Sequence, residues 1–441
     1  MDSRIPAWLP SQSADLVQDV LQGYDASSND ALDAHIHALV SENRRIHERD
    51  CINLNPGTNV MNPRAEALLA SGLGSRPSLG YPGDKYEMGL EAIEQIEIIA
   101  TALACDVFKA KYAEIRVGSG AMANLYAFMA TCQQGDKIIV PPASIGGHVT
   151  HHMSGAAGLY GLEIHEAPVD ANRYTIDVDG LRKQAKEIEP KLITIGSSLN
   201  LFPHPVAEIR EIADEVGAFV LFDAAHLSGM IAGDAWANPL ANGAHLMTMS
   251  TYKSLGGPPS GLIVTDSDEL AQKLDKIAYP GLTANFDAAQ SAALAMTLLD
   301  WKAYGRACGA MMKQTAIALA DALIEAGMPV YKTTLGVTDS HQFAIEAALF
   351  GGGQTAAKKL RQANLLTCGI GLPIAPVSND VNGLRLGTSE IVRWGMAVDD
   401  MAQIATFIAD ALLDKRSVAD IAGDVSAFRK SYQDMHFIRT G

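Results

Sequence analysis

Short apolar segments alternate with amphipathic segments through the middle of the chain, and this alternation limits the possible folds more than any other feature. The segments "KIIVPP", "KLITIGSS" and "AFVLFDAA" are rich in Ile, Val, Leu and Phe and are bounded by Gly, Pro or charged residues. Between them, "VDGLRKQAKEIEP" and "VAEIREIADEVG" carry apolar residues at helical spacing. Apolar strands that alternate with helices predict an α/β fold with a mainly parallel sheet covered on both faces.

The chain of 441 residues is too long for one compact domain, and its pattern predicts three regions. Residues 1–50 have apolar positions at helical spacing and predict an N-terminal helical arm. Residues 51–285 contain the alternating pattern and predict a large α/β domain. Residues 286–441 begin with the long helical segment "DAAQSAALAMTLLDWKAYG" and predict a smaller C-terminal α+β domain.

Composition and charge argue against several classes of partner. A net charge of −16 would repel nucleic acids and anionic membranes. No stretch approaches the roughly 18 apolar residues of a membrane span, and the N-terminus lacks the pattern of a signal peptide. The five cysteines are far apart and form no C-x-x-C pair. These features predict a cytoplasmic protein with reduced thiols and without a nucleic-acid, membrane or metal partner.

Small and polar residues gather where the predicted strands end, which is the edge at which parallel sheets bind ligands. In "VGSGAMANLYAF", Gly118, Ser119 and Gly120 precede an apolar helix, so that backbone N–H groups and a hydroxyl face one place. Such a helix start binds phosphate, although small residues are also ordinary helix caps. Asp223 follows the very apolar strand of "LFDAAHLSG", where it either needs a cationic partner or caps a helix.

Lys253, in "MTMSTYKSLGGPPSG", is a candidate reactive amine. It lies about one helix and one strand beyond Asp223, so neighbouring parallel strands can bring both side chains to one pocket. Burial lowers the pKa of a lysine, and its neutral amine can form a Schiff base with a carbonyl cofactor. In "PPASIGGHVTHH", His148 could lie over a flat ligand, whereas His151 and His152 are assigned to structural packing. A phosphate site, an acid, a stacking ring and an amine together match the requirements of pyridoxal 5′-phosphate (PLP).

Over about residues 50–415 the sequence resembles serine hydroxymethyltransferase and its fold-type I PLP-dependent relatives. The matching stretches follow the order and spacing of that family, and they are "GYPGDKYEMG", "VGSGAMAN", "IGGHVTH", "FDAAHLSGMIAG", "STYKSLGGPPSG", "VTDSHQF" and "GLRLGTSEIVRWGM". The resemblance implies a fold-type I transferase, in which a seven-stranded type of sheet is sandwiched by helices. It also implies PLP as the cofactor and a homodimer or a higher homo-oligomer.

The resemblance further implies roles for individual residues around the cofactor. Lys253 is similar to the Schiff-base lysine, Asp223 to the acid that pairs with the pyridinium nitrogen, and His148 to the stacking imidazole. The remaining implied cofactor contacts are the phosphate loop and two residues near the phenolic oxygen, namely Ser119, Gly120, Ala121, Ser198 and His226.

On the substrate side, the resemblance implies that Arg385 binds the amino-acid carboxylate, for which a planar guanidinium is well suited. It places Gly57 near this carboxylate, where the family has a serine. It places Tyr81 in a loop that reaches the site of a neighbouring subunit. Asn285 belongs to "YPGLTANFD", which replaces the glycine-rich loop of the family, and this position implies contact with a partner's phosphate group.

The chain departs from the family where the aldehyde and folate would bind, most clearly at Leu79 and Glu87. Leu79 stands in place of the glutamate that precedes "GYPG" in the family, and a leucine cannot transfer a proton. Glu87 stands in place of a family tyrosine, so we interpret it as a carboxylate moved to a nearby position with a catalytic role. The cofactor and carboxylate contacts are thus retained, whereas a need for tetrahydrofolate is doubtful.

These differences predict a PLP-dependent enzyme that makes or breaks the Cα–Cβ bond of a 3-hydroxy amino acid without folate. Serine, threonine and 2-methylserine are the substrate types, and the products are glycine or alanine and an aldehyde. Addition to a second aldehyde would make the enzyme a transaldolase. Three alternatives stay open: a folate-dependent serine or 2-methylserine hydroxymethyltransferase, a PLP-dependent transaminase or decarboxylase, and a catalytically silent homologue.

Overall fold

A computed structural model describes residues 4–440 of the chain, which opens with two exposed helices, α1 (Ser11–Asp25) and α2 (Asn29–Arg44). The hydroxyl of Ser28 caps α2 by accepting a hydrogen bond from the N–H of Ala31 at 3.2 Å. Neither helix contains a buried residue. The apolar positions of this segment therefore have no covering surface within the described chain.

A mixed seven-stranded sheet forms the centre of the molecule. The elements from the exposed helices to the end of this sheet region are, in chain order, β1 (Ile52–Asn53), α3 (Pro63–Leu69), β2 (Gly80–Tyr81), β3 (Asp84–Lys85), α4 (Glu91–Phe108), β4 (Tyr112–Val117), α5 (Gly120–Thr131), β5 (Lys137–Val140), α6 (Ala156–Tyr160), β6 (Glu163–Glu166), β7 (Val169–Asp170), β8 (Thr175–Ile176), α7 (Val178–Ile188), β9 (Leu192–Ile195), α8 (Val206–Val216), β10 (Phe219–Asp223), α9 (Ser228–Ala232), β11 (Leu246–Ser250), β12 (Gly261–Thr265) and α10 (Asp268–Lys276).

The strands of the main sheet follow the order β4-β12-β11-β10-β9-β5-β6. All of them run in one direction except β12, which is antiparallel to both β11 and β4. Strands β9, β11 and β12 are buried at every residue, because helices cover both faces of the sheet. The prediction of a mainly parallel, doubly covered sheet is confirmed, and β12 is the one reversed strand in it.

A long helix and a small antiparallel sheet complete the chain. In order, these elements are α11 (Ala288–Glu325), β13 (Gln342–Glu346), α12 (Gly353–Gln362), β14 (Leu365–Leu366), β15 (Cys368–Ile370), β16 (Gly383–Gly387), α13 (Ser389–Arg393), α14 (Met401–Leu412) and α15 (Val418–Arg429). The three-stranded sheet has the order β13-β16-β15, and β14 pairs in parallel with β1 from the start of the chain.

Helix α11 is long and apolar enough to cross a membrane, but it packs within the protein against α3, α4 and α14. Its Trp301 indole donates a hydrogen bond to the backbone oxygen of Leu255 at 2.8 Å. Its buried Asp300 accepts a hydrogen bond from Asn62 at 2.8 Å. Both contacts fix α11 as a core helix of this structure.

One apolar cluster extends from the large sheet into the C-terminal elements, since it includes Phe222 of β10, Leu384 of β16 and Ile408 of α14. Ile52 of β1 belongs to the same cluster. The proposed division of the chain at residues 50 and 285 stays a prediction. Segments on both sides of residue 285 share this core.

Candidate active site

A cavity with an empty volume of about 500 Å³ lies at the carboxyl edge of the main sheet. The loops that follow β4, β5, β9, β10 and β11 meet there, as parallel strands require. Its lining residues are Ser119, Gly120, Ala121, Asn124, His148, Ser197, Ser198, Asp223, Ala225, His226, Ser250, Tyr252 and Lys253. The structure therefore brings together the residues that sequence patterns single out at strand ends.

The start of α5 forms an anion site on one wall of the cavity. Ser119 caps the helix by accepting a hydrogen bond from the N–H of Met122 at 3.1 Å. The N–H groups of Gly120 and Ala121 belong to the first turn, where helices leave such groups without an intrahelical partner. A Cβ atom at Gly120 would lie only 2.0 Å from the Oγ atom of Ser250. Only glycine fits here, and its backbone stays accessible to an anion.

Asp223 is a buried carboxylate at the end of β10. Its Oδ2 atom lies 2.9 Å from both Nδ2 of Asn124 and Nε2 of His151, and its Oδ1 accepts the N–H of Ala225 at 2.9 Å. Burial acts to raise the pKa of Asp223, but the hydrogen bonds from His151, Asn124 and Ala225 outweigh it, so the pKa is lowered. The acid is held ionised.

Two of the partners of Asp223 did not stand out in the sequence as site residues. His151 was assigned to structural packing, and it is in fact buried against the carboxylate. Asn124 follows Gly120 by one helical turn, and this spacing was the available signal. Its Oδ1 atom also accepts a hydrogen bond from Thr248 at 2.7 Å, which fixes the amide.

Lys253 is almost completely buried, and its Nζ atom lies 3.2 Å from Nε2 of His226. Burial lowers the pKa of Lys253 to about 8; the nearby Asp223 opposes this shift and Arg385 adds to it. The turn after the lysine is tied back, because the N–H of Gly256 donates to the Lys253 carbonyl at 2.9 Å and Asn59 donates to it at 3.0 Å. The amine is therefore fixed in position and partly neutral near pH 8.

The position three residues after Lys253 requires a glycine, Gly256. It has a φ of 64°, in the left-handed region, and a Cβ atom there would lie 2.7 Å from Nη1 of Arg393. The buried Arg393 donates to the carbonyl oxygen of Gly256 at 3.3 Å.

Two histidines of the cavity are neutral at pH 7. The pKa of His148 is lowered to about 4, mainly by burial; Asp223 opposes this shift and Lys253 adds to it. Burial also lowers the pKa of His226 well below its ordinary value, with Lys253 and Arg385 adding to the shift. A neutral imidazole ring can cover a flat ligand without bringing a second positive charge next to the lysine.

Arg385, on β16, reaches the cavity from the small sheet. Its Nη1 donates to the backbone oxygen of Ser198 and lies 3.4 Å from Nε2 of His226. Its Nε and Nη2 atoms lie 3.3 Å and 3.1 Å from Sγ of Cys368, a residue that the sequence did not indicate. A Cβ atom at Gly57 would be 3.9 Å from Nη2 of Arg385, which places Gly57 beside the guanidinium as expected.

Besides Arg385 and its neighbour Gly57, three further residues assigned from the sequence are absent from the lining of this cavity. The hydroxyl of Tyr81 donates to Asp275 at 2.9 Å, and it borders a second, mostly apolar cavity with an empty volume of about 1160 Å³. Asn285 is exposed. Glu87 has a buried Oε2 atom without a hydrogen-bond partner among residues 4–440. The larger cavity contains no amine and acid pair like that of the sheet edge, so we assign the chemistry to the smaller one.

The donors of the smaller cavity fit a flat aromatic ring that carries a phosphate and an aldehyde. The glycine-lined start of α5 suits the phosphate, the ionised Asp223 suits a protonated ring nitrogen, and the amine of Lys253 suits the aldehyde. PLP carries all three groups. Within residues 4–440, no group of three or more His, Cys, Asp or Glu side chains is placed to hold a metal ion.

The sheet order, the cavity at its carboxyl edge and the lysine opposite a buried aspartate define the fold-type I class of α/β enzymes. The chain belongs to the serine hydroxymethyltransferase family, whose family model matches residues 30–408. The resemblance stated from its motifs is thereby confirmed.

Named relatives place the chain within this family. It is 62% identical over 433 residues to an alpha-methylserine aldolase from Variovorax paradoxus, which covers 98% of this chain and 97% of the relative. It is 37% identical over 406 residues to a serine hydroxymethyltransferase from Methanopyrus kandleri, covering 91% and 95%. The crystal structure of L-threonine transaldolase from Pseudomonas fluorescens in its internal aldimine state has the same fold, with a TM-score of 0.84, 23% identity and 96% coverage of both chains.

Proposed function

We propose that this protein is a PLP-dependent aldolase that makes and breaks the Cα–Cβ bond of a 3-hydroxy amino acid of the 2-methylserine type, without tetrahydrofolate. The observation that carries the proposal is the buried Lys253, whose pKa is about 8, in one cavity with the ionised Asp223. The relatives support the substrate class, because the chain is far more similar to an alpha-methylserine aldolase than to a serine hydroxymethyltransferase.

The residues of the sheet edge have distinct tasks in this proposal. Bound PLP supplies an electron-poor ring that stabilises the negative charge left at Cα when the bond breaks. Asp223 keeps a proton on the ring nitrogen, because its own pKa is lowered. Lys253 would supply the amine for the cofactor aldehyde, since its lowered pKa leaves a large neutral fraction near pH 8. Neutral His148 covers the ring, and Ser119, Gly120 and Ala121 bind the phosphate.

The substrate is held by groups from outside the large sheet. Arg385 binds the carboxylate, since a guanidinium can bind it with two parallel hydrogen bonds. Gly57 leaves room next to the guanidinium of Arg385, because glycine has no side chain. Ser198 and His226 contact the guanidinium on the cavity side, so they orient it as well as lie near the cofactor.

The absence of a need for folate is supported by Leu79. Its side chain has no proton to transfer and lies outside the residues that line the cavity. Direct cleavage of 2-methylserine requires no carrier: the hydroxyl loses its proton, the Cα–Cβ bond breaks to release formaldehyde, and Cα takes up a proton to give alanine. The atoms of the substrate are all accounted for in these two products.

The direct test is to incubate the purified holoenzyme with 2-methylserine, with and without tetrahydrofolate, and to measure alanine and formaldehyde. We expect equal amounts of both products at the same rate in the two mixtures, and none with Lys253→Ala. Release that requires tetrahydrofolate would instead identify a hydroxymethyltransferase. A keto acid or an amine as product would identify a transaminase or a decarboxylase, and no product at all would support a silent homologue.

We also propose that the protein is a cytoplasmic homodimer or higher homo-oligomer. Exposed apolar side chains on α1, α2 and α4 support this, and they include Leu16, Val20, Ile36, Leu39, Ile98 and Ile99. In the assembly, Tyr81, Glu87 and Asn285 reach the cavity of the neighbouring subunit. Sedimentation of the wild type should give at least twice the mass of one chain, and Ile98→Asp together with Ile99→Asp should lower it. Leu349→Asp, at another exposed apolar position, is the matched control.

A further inference from the structure

The guanidinium of Arg385 is held along one edge by a sulfur atom. Both Nε and Nη2, which form one side of the planar fork, donate to Sγ of Cys368 at 3.3 Å and 3.1 Å. Nη1 donates to the backbone oxygen of Ser198. The plane of the guanidinium is thus fixed by two different contacts, and the edge formed by Nη1 and Nη2 is the one left for a carboxylate.

The thiol itself is oriented by Asn55. Sγ of Cys368 donates to Oδ1 of Asn55 at 3.2 Å, so its proton points away from Arg385 and its lone pairs face the guanidinium. The same Oδ1 atom accepts the N–H of Gly57 at 2.9 Å. One amide therefore fixes both the sulfur that holds the arginine and the glycine that lies beside it.

A chain of hydrogen bonds connects Asn55 to the buried core. The N–H of Asn55 donates to Oδ1 of Asn53 at 2.9 Å, and Nδ2 of Asn53 donates to Oε2 of the buried Glu390 at 2.6 Å. Asn53 belongs to β1, which pairs with β14, and Cys368 begins the next strand along the chain. The segment that carries Gly57 is therefore anchored to β14 and, through Asn55, to Cys368 of the small sheet.

We propose that Cys368 is a positioning residue, which with Asn55 sets the orientation of Arg385 for the carboxylate of the amino-acid substrate. The proposal rests on the proposed function for the identity of that substrate. Without the sulfur, Nε and Nη2 lose their acceptor, and the contact of Nη1 with Ser198 alone no longer fixes the plane of the guanidinium. The cost should then fall on ligands that carry a carboxylate, and ligands without one should be unaffected.

The test compares two amines that differ by the carboxylate, alanine and ethylamine, in the holoenzyme. Dissociation constants are measured from the change in cofactor absorbance for the wild type, Cys368→Ala, Cys368→Ser and the control Cys105→Ala, which removes a half-exposed thiol on α4. In Cys368→Ala, we expect alanine to bind about tenfold more weakly, since an acceptor of a charged donor is lost. We expect ethylamine to bind unchanged, the serine variant to recover most of the affinity, and kcat for 2-methylserine to change less than KM.

Equal weakening of both amines in Cys368→Ala would overturn the proposal, because the residue would then be structural only. Unchanged binding of alanine would overturn it as well. Asn55→Ala gives a second measurement with the thiol in place, and it should weaken alanine binding in the same selective way. If the wild type binds alanine but releases no formaldehyde from 2-methylserine, the proposed function fails while the comparison of the two amines still decides the role of Cys368.

Discussion

The cavity at the sheet edge and the hairpin formed by β2 and β3 represent two opposite kinds of site. In the cavity, Asp223 and Lys253 are buried and have partners within the same chain. On the hairpin, Tyr81 is exposed and points to Asp275, away from the cavity. The comparison indicates that the residues around Lys253 converge within one chain, whereas any role of Tyr81 at the aldehyde side depends on the proposed homo-oligomer.

The difference has a physical origin in how the two regions are held. Residues at the ends of β10 and β11 are fixed by neighbouring strands on both sides, so their side chains converge without help from outside. The hairpin is only two residues long on each strand and pairs with no other strand. A short, isolated hairpin of this kind is marginally stable alone and depends on what it packs against.

The largest effect should come from Lys253→Ala, which removes the amine from the cavity at the sheet edge. We expect activity to fall by more than about 1000-fold, as is common when a nucleophile is removed, together with loss of the cofactor absorbance band. Spectra and formaldehyde release measure both effects. A variant that kept the band would contradict the assignment of the lysine.

Asp223→Asn should have the next largest effect, because it keeps the shape of the carboxylate and removes its charge. We expect kcat to fall by about 100-fold, since a charge-assisted hydrogen bond to the ring nitrogen is lost. The exposed Asp214→Asn, which only loses an ion pair with Arg210, is the matched control and should retain activity. Equal activity of the two variants would remove Asp223 from the chemistry.

Cofactor capture should depend on pH through Lys253. The neutral amine is the reactive form, so below its pKa of about 8 the capture rate should fall about tenfold for each unit of pH. Above pH 8 the rate should level off. Stopped-flow mixing of apoprotein with PLP measures this, and a soluble lysine derivative, whose rate continues to rise towards about pH 10.4, provides the control. A pH profile like that of the free amine would mean that burial does not lower the pKa of Lys253.

The smallest effect should come from Tyr81→Phe, which tests whether the hairpin acts across subunits. Stability should change by less than about 1 kcal/mol, because the lost bond to Asp275 is at the surface. We expect activity to fall about tenfold if the hydroxyl serves the neighbouring site. Mixed dimers of Tyr81→Phe and Lys253→Ala subunits then contain one intact site and should recover activity. Failure to recover it would place Tyr81 outside the neighbouring site.

The sequence located residues at the strand ends that line the cavity, but it did not locate the contacts made from the small sheet, and the reason is the range of the contacts. Ser119, Asp223 and Lys253 each follow a recognisable apolar strand, so local pattern and strand order together locate them. Cys368 comes from the small sheet, and no periodic pattern connects it to Asn55, which lies far earlier in the chain. The sequence did not single out His151 as a partner of Asp223, because a buried histidine against a carboxylate has the same local pattern as one in the core.

By itself, the sequence determined the kind of sheet, the edge of the sheet with the cavity and the types of side chain at that edge. These follow from apolar periodicity and from the chemistry of the residues at strand ends. The tertiary structure alone decided the reversed direction of β12, the partners that keep Asp223 ionised and the sulfur that orients Arg385. Those features depend on contacts between different elements, such as those of Asp223 with Asn124 and His151, which lie 99 and 72 residues away in the chain. Hydrogen-bond geometry between separate elements leaves no trace in local pattern.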